Sequence, residues 1–169
     1  MRNILETSHL CLRKFCAEDA PFMLRLLNEP TWIQYIGDRN VHSEEDAKHY
    51  LENGAMRNYD QLGYGFYLVT HRETGEPIGT CGFTKRDFLE HPDFGFAFLP
   101  EYTGQGYAFE VAAAALDFAE EILQLKRIEA ITTQDNERSI RLLTKLGFRY
   151  ERTLNLEGEE LFVFGMDIA

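Results

Sequence analysis

Cysteine is scarce: Cys11, Cys16 and Cys81 are all there is. An odd number with no metal-ligand spacing excludes a disulfide framework and a zinc site, and predicts a reducing compartment. Cys11 and Cys81 sit inside apolar runs, where a free thiol packs as a small core residue. Long apolar runs are missing as well. No stretch approaches the roughly 18 uninterrupted apolar residues of a transmembrane helix. Met1-Arg2-Asn3-Ile4-Leu5-Glu6 lacks the apolar segment of a signal peptide. The expected location is cytoplasmic, with no membrane partner. Positive charge is in deficit, 17 Lys plus Arg against 28 Asp plus Glu, for a net charge of -11. That balance excludes bulk nucleic-acid binding and an anionic lipid surface. A cationic partner is favoured, weakly and in a salt-dependent way. The five prolines are scattered, and there is no repeat, low-complexity tract or Pro/Gly/Ser-rich linker. One continuous domain over residues 1–169 is expected.

What is present is ample apolar material: 44% of the 169 residues are hydrophobic and 13% aromatic. A chain of this length buries about 70% of its unfolded surface and needs no disulfide or metal staple. The segment His9 to Phe15 reads as a first strand. Ala17-Glu18-Asp19-Ala20-Pro21 has the acidic residues and early proline of a helix start, ended by Asn28-Glu29-Pro30. Trp32, Tyr35 and Ile36 form a short segment bounded by Gly37. Ser43 before Glu44-Glu45-Asp46 is an N-cap, opening a second helix that runs to about Met56. Tyr64 to Thr70, Ile78 to Phe83 and Phe94 to Phe98 read as strands, the last in strict alternation. After the glycine turn Thr103-Gly104-Gln105-Gly106, apolar residues from Ala108 through Val111, Ala112, Ala115, Leu116, Ala119, Ile122 and Leu123 recur at helical spacing. Arg127 to Thr133 is a strand, and Asn136 to Leu146 a helix closed by Gly147. Phe148 to Leu154 and Leu161 to Ile168 make a final hairpin around Glu157-Gly158. Meanders combined with βαβ units imply an α+β (α/β three-layer) arrangement: a mixed, mostly antiparallel sheet of about seven strands with helices on its faces.

An acidic chain needs a local device to hold any phosphate-bearing ligand. Phe98-Leu99-Pro100-Glu101-Tyr102-Thr103-Gly104-Gln105-Gly106-Tyr107-Ala108 is such a device: a strand ends, two glycines turn the backbone, and a helix begins at once. Unpaired N–H groups at a helix N-terminus form an anion site, and a Cβ would hold the phosphate away from them. No Lys-Ser/Thr follows, so this is not a P-loop, and it is not Gly-x-Gly-x-x-Gly. A tight strand-to-helix turn with no ligand explains the same residues. In the second constellation, Asn136 and Ser139 lie three residues apart on one face of a first helical turn. An N-cap and a surface serine explain that pair equally.

Taken together, the two stretches resemble the GNAT superfamily of acetyl-CoA-dependent N-acetyltransferases, and the resemblance runs from about Thr7 to Ile168. Thr103 to Ala108 resembles the family's (Arg/Gln)-x-x-Gly-x-(Gly/Ala) pyrophosphate loop, and the sequence is most similar to the ribosomal-protein alanine/serine acetyltransferase branch. Ser8-His9-Leu10-Cys11-Leu12-Arg13, Ile78-Gly79, Asp93-Phe94-Gly95-Phe96 and Asn136-x-x-Ser139 to Gly147-Phe148 extend the likeness. Thr103 stands where the family usually has Arg or Gln, and Leu143 where many members carry a general-acid tyrosine. The resemblance implies a GNAT fold with a splayed fourth and fifth strand (Phe94 to Leu99, Arg127 to Thr133). It implies acetyl-CoA as cosubstrate without metal, and direct transfer to an amine in a ternary complex.

By the same resemblance, Phe98, Leu99, Thr103, Gly104, Gln105, Gly106, Tyr107, Ala108, Asn136 and Ser139 would bind the cosubstrate. Backbone N–H groups near Phe98 or Leu99 would polarise the thioester carbonyl. Ser139 would protonate the leaving thiolate, with Asn136 beside it. Asp93 would relay a proton from the amine, or is simply a solvated strand-end carboxylate; His91, on a turn before Pro92, is a weaker candidate base. Arg138, Arg141 and Lys145 would reach the 3′-phosphate or form a solvated face. Trp32, Tyr35 and Tyr50 would be either core or acceptor wall, in a half of the chain given an acidic cast by Glu29, Asp38, Glu44, Glu45 and Asp46. The expected acceptor is foremost a protein N-terminus of ribosomal type. A polyamine, aminoglycoside or amino acid is the rival, a non-catalytic acyl-CoA sensor the rival of another class, and the protein a monomer or homodimer.

Overall fold

A computed structural model describes residues 2–169. The chain starts with β1 (Asn3–Glu6) and β2 (Leu10–Lys14), then four helices: α1 (Ala20–Leu27), α2 (Pro30–Tyr35), α3 (Glu44–Asn53) and α4 (Ala55–Gln61). The meander β3 (Phe66–His71), β4 (Pro77–Thr84) and β5 (Asp93–Phe98) follows. Next come α5 (Tyr107–Glu121), β6 (Arg127–Thr133), α6 (Glu137–Leu146), β7 (Arg149–Leu156) and β8 (Glu159–Asp167). The strands form one eight-stranded sheet in the order β1-β2-β3-β4-β5-β6-β8-β7. Only β5 and β6 are parallel neighbours; every other pair is antiparallel.

The sheet therefore has eight strands where the sequence suggests about seven. The extra one, β1, is a four-residue strand at the margin that pairs with β2 across an irregular register. The second expected helix does not run on to Met56: Gly54 breaks it into α3 and α4. The segment around Trp32 is helical, started by Pro30 at a first-turn position, where its missing N–H costs nothing. Before α1, the Asp19 carboxylate takes both ends of the Arg13 guanidinium at 2.8 Å and accepts from the Cys16 N–H, which anchors the turn.

Two apolar clusters, one on each face, hold helices against the sheet. Val111, Ala112, Ala115, Leu116 and Ala119 of α5 and Leu143 of α6 pack on Leu12, Val69, Cys81, Phe83, Phe94, Ile128 and Phe164. Small residues along α5 let that helix lie close to the strands. On the opposite face Met23, Leu26 and Leu27 of α1, Trp32, and Ala47 and Leu51 of α3 cover Leu68 and Leu99. Ile122 lies beyond the end of α5 and is 67% exposed, so it leaves the expected apolar stripe, while Leu123 still packs against the core.

Candidate active site

The parallel neighbours β5 and β6 pair at a single rung, Asp93 with Glu129, where the Glu129 N–H donates to Pro92 O at 2.9 Å. Past that rung the strands splay. The opposite edge of β5 stays paired with β4 along its whole length, from Thr84–Asp93 to Gly79–Phe98. Backbone groups alternate between the two edges of a strand. Leu99 donates to Ile78 O on the β4 side at 2.9 Å, so the N–H and C=O of Phe98 and Phe96 point into the gap. The C=O of Leu99 is also taken, by the Tyr102 N–H at 3.0 Å. Of the two expected carbonyl-polarising donors, only Phe98 has its N–H facing the gap.

Because β5 and β6 are parallel, the loops leaving them emerge at the same edge of the sheet, and each opens a helix. The β5 loop is folded onto itself: Thr103 Oγ1 donates to Pro100 O at 2.8 Å and Gln105 Nε2 to Glu101 O at 3.0 Å. Gly104 and Gly106 have φ of +77° and +81°, left-handed values that cost a side-chain-bearing residue. A Cβ on either would meet only open space, so backbone conformation, not crowding within the protein, calls for glycine. The amides of Gly104, Gln105 and Gly106 donate to no protein acceptor among the described residues. The first bond of α5 runs from Glu110 N to Gly106 O, which leaves the amides of Tyr107, Ala108 and Phe109 free as well. Glu110 sits in that same first turn. Burial works against its charge, but donors from Thr7 and His9 hold its carboxyl below the usual range. The Tyr107 ring turns away toward His9 and His71.

At the other exit, Asn136 caps α6: its Oδ1 accepts the Ser139 N–H at 3.2 Å, while its Nδ2 donates to nothing within the described residues. Ser139 is half-buried in the first turn. Arg141 lies 4.0 Å from Glu137. Lys145 places Nζ 4.2 Å from the centre of the Phe109 ring, beside the start of α5.

Asp93 is not a solvated strand-end group; it is 3% exposed. Arg86 Nε donates to its Oδ2 at 3.1 Å, and its Oδ1 is buried without a hydrogen-bond partner. Burial pushes the carboxyl up to about 6; the charge and hydrogen bond of Arg86 oppose the rise, and neighbouring Glu129 adds to it. Along β5, Asp93 shares a face with Gly95 and Ala97, opposite to Phe94, which packs with α5. Ser139 and Asp93 are therefore not brought together. They lie on opposite faces of the sheet, with the gap between them, and Asp93 is about 17 Å of strand from Phe98.

Buried polar atoms are nearly always satisfied. Among the described residues three lack a partner: Trp32 Nε1, Asp93 Oδ1 and Thr133 Oγ1. Two of them belong to the strands that splay. A gap edged by unpaired backbone groups, with orphan polar atoms on both strands and a cradle of free amides at its mouth, fits an elongated ligand with an anionic end and a polar arm.

Glu129 has no motif to announce it. It is 2% exposed, with Oε1 accepting the His91 N–H at 3.1 Å and Oε2 accepting Arg152 at 3.2 Å. His91 thus reaches the site through its backbone. Trp32 belongs to the core, while Tyr35 and Tyr50 are half-buried. Tyr50 lines a pocket on α3 with Arg39, Asn40, Asp46, His49 and Asn53, and none of the expected catalytic or cosubstrate-binding residues lies in it.

The acetyltransferase (GNAT) domain family matches residues 9–149. Bacillus subtilis (strain 168) has a relative, the uncharacterized N-acetyltransferase YoaA, that is 32% identical over 152 residues, covering 89% of this chain and 85% of that protein. The solved structure of RimL, a ribosomal L7/L12 α-N-protein acetyltransferase in complex with coenzyme A, superimposes with a TM-score of 0.84 at 18% identity, covering 98% of each chain. Spermidine N-acetyltransferase from Vibrio cholerae, in complex with CoA and spermine, does so with a TM-score of 0.80 at 20% identity, over 95% of this chain and 96% of that one. The chain belongs to the GNAT family of N-acetyltransferases. Its cosubstrate is acetyl-CoA, and it acts on an amine.

Proposed function

We propose that the protein acetylates the α-amine of a protein N-terminus of ribosomal type, by direct transfer within a ternary complex. The observation that carries the transferase chemistry is the single-rung β5–β6 pair: it leaves a gap through the sheet, with the amide cradle at its mouth and a buried, half-partnered carboxylate at its closed end. The amides from Gly104 to Phe109 hold the pyrophosphate, and the Asn136 Nδ2 and the Phe96 and Phe98 backbone hold the arm. Lys145 is placed beside the cradle for the remaining phosphate. Acetyl-CoA, when bound, supplies an acetyl group activated as a thioester. The chain supplies the rest. The Phe98 N–H faces the gap as a donor to a developing oxyanion. An amine must shed a proton to become a nucleophile, and Asp93, about 17 Å of strand from Phe98, takes that proton along a chain of waters on the α1–α3 face. From the α6 face, Ser139 Oγ donates a proton to the departing sulfur.

The N-terminal acceptor is supported by the loop Gly104-Gln105-Gly106-Tyr107-Ala108 with Asn136-x-x-Ser139, and by RimL being a protein acetyltransferase on the same fold. A polyamine is the second reading. A spermidine N(1)-acetyltransferase of Escherichia coli (strain K12) is 34% identical over 73 residues, or 43% of this chain, and the net charge of -11 suits a polycation. Turnover of acetyl-CoA against a panel of alanine- and serine-initiated ribosomal-protein peptides, spermidine, aminoglycosides and free amino acids separates them. The peptides are expected to be the best substrates; acetylation of spermidine or aminoglycosides with none of a peptide overturns the assignment.

A further inference from the structure

Charges on the face of the sheet that carries Asp93 form a chain across four strands. Asp167 of β8 pairs with Arg127 of β6 at 3.1 Å, Arg127 with Glu151 of β7, and Glu151 lies 4.0 Å from Arg152. Arg152 holds Glu129 of β6 at 3.2 Å, and on β5 Asp93 is held by Arg86 at 3.1 Å. The signs alternate at every link but one. At the β5–β6 rung, Glu129 and Asp93 are register partners on one face, and both are buried. Two carboxylates in such a place do not both ionise freely.

The hydrogen bonds decide which of them keeps the charge. Both oxygens of Glu129 have donors, from the His91 N–H and from Arg152. Asp93 takes the Arg86 donor on Oδ2; the Ile131 backbone favours its charge more weakly than Arg86 does, and Oδ1 has no partner at hydrogen-bond distance. The orphan oxygen of Asp93 is where a proton settles. The charged groups facing Asp93 are Arg86 from the β4–β5 connection and Glu129 from β6, with Arg152 and Glu151 of β7 and Arg127 of β6 behind them. Across β4 it faces its register partner Thr84, whose hydroxyl accepts from Asn58 of α4 at 3.2 Å.

We propose that Glu129 is a positioning residue for the acetyl transfer: its fixed negative charge at the only β5–β6 rung makes Asp93 Oδ1 the atom that receives the proton leaving the acceptor amine. The inference rests on Asp93 being the base. One N–H bond of the ammonium breaks, each intervening water takes up one proton and gives up another, and one O–H bond forms on Asp93; Glu129 gains nothing. Arg152 holds the Glu129 carboxylate at 3.2 Å, and Arg86 keeps Asp93 in place.

Carboxyl-13C NMR of the full chain with labelled Asp and Glu tests this, with Asp93 assigned through Asp93→Asn. In the parent protein the Asp93 carboxyl carbon is expected to titrate above the ordinary aspartate range. In Glu129→Gln the Asp93 midpoint is expected to fall by about one pH unit. The acid limb of the turnover profile on an alanine-initiated peptide should fall with it. If Asp93 titrates as an ordinary aspartate in the parent protein, or its midpoint stays put in Glu129→Gln, the role of Glu129 is refuted. Where Glu129→Gln does not fold, Arg152→Gln tests the same charge with the opposite sign: removing the cation paired with Glu129 is expected to raise the Asp93 midpoint, and an unmoved midpoint refutes the role. Full turnover by Asp93→Asn would instead refute Asp93 as the base, and this inference with it.

Discussion

Asp93→Asn should make the protein more stable and less active, with a stability gain that depends on pH. The carboxyl titrates near 6 in the folded chain, against 3.8 as its ordinary value. A folded-state value above the unfolded one means that the folded protein binds the proton more tightly, so the Asp93 contribution falls as pH rises from about 4 through 6. The difference of roughly two units corresponds to about 3 kcal/mol of destabilisation by the ionised form, complete above about pH 7 and mostly absent at pH 4. Asparagine is nearly isosteric and its Oδ1 still accepts from Arg86, so the substitution removes the buried charge and little else. Urea unfolding of parent and variant from pH 4 to pH 7.5 reads the effect. The stability difference is expected to be small at the acid end and to grow, in favour of the variant, toward about 3 kcal/mol at the neutral end. Turnover should collapse at every pH. A difference that does not change with pH, or a variant less stable at pH 7.5 than at pH 4 relative to the parent, would refute the buried, half-partnered carboxylate.

Other consequences are as direct. Gly106→Ala places a side chain at φ +81° and should cost about 1–2 kcal/mol in urea unfolding while weakening acetyl-CoA binding far more than that strain accounts for, as read by the thermal shift with ligand. Asn136→Ala removes the cap on the Ser139 N–H and should cost about 1 kcal/mol; Asn136→Asp should restore the stability but not the acetyl-CoA affinity, because the free Nδ2 donor is gone. Ser139→Ala should lower kcat with little change in unfolding midpoint or in the KM for acetyl-CoA, since the cap uses the Ser139 backbone and not its hydroxyl. A parallel drop in stability would make Ser139 a structural residue.

Much of this is legible in the residues. The alternation Phe94-Gly95-Phe96-Ala97-Phe98, the glycines of the β5 loop and the cap Asn136 each betray a local geometry that tertiary packing leaves unchanged. Glu157-Gly158 marks the β7–β8 turn because both residues take positive φ, as a two-residue hairpin requires. What escapes is set by neighbours distant in sequence. Residues Asn3–Glu6 carry no strand signal of their own and are held in the sheet by β2. In Arg127-Ile128-Glu129-Ala130 the alternation marks Glu129 as an outward polar residue. It is buried because β5 pairs beside it and Arg152 reaches over from β7. Asp93 is ambiguous for the same reason, since its burial depends on a parallel partner more than 30 residues away.

The acceptor amine is tested most directly by locating the transferred acetyl group. Mass spectrometry would follow three substrates incubated with the protein and acetyl-CoA: an alanine-initiated ribosomal-protein peptide, the same peptide with a blocked α-amine and an internal lysine, and spermidine. Acetylation at the α-amine of the first peptide, with the blocked peptide untouched and spermidine slower, is the predicted result. Acetylation of spermidine alone, or of the lysine in the blocked peptide, would contradict it.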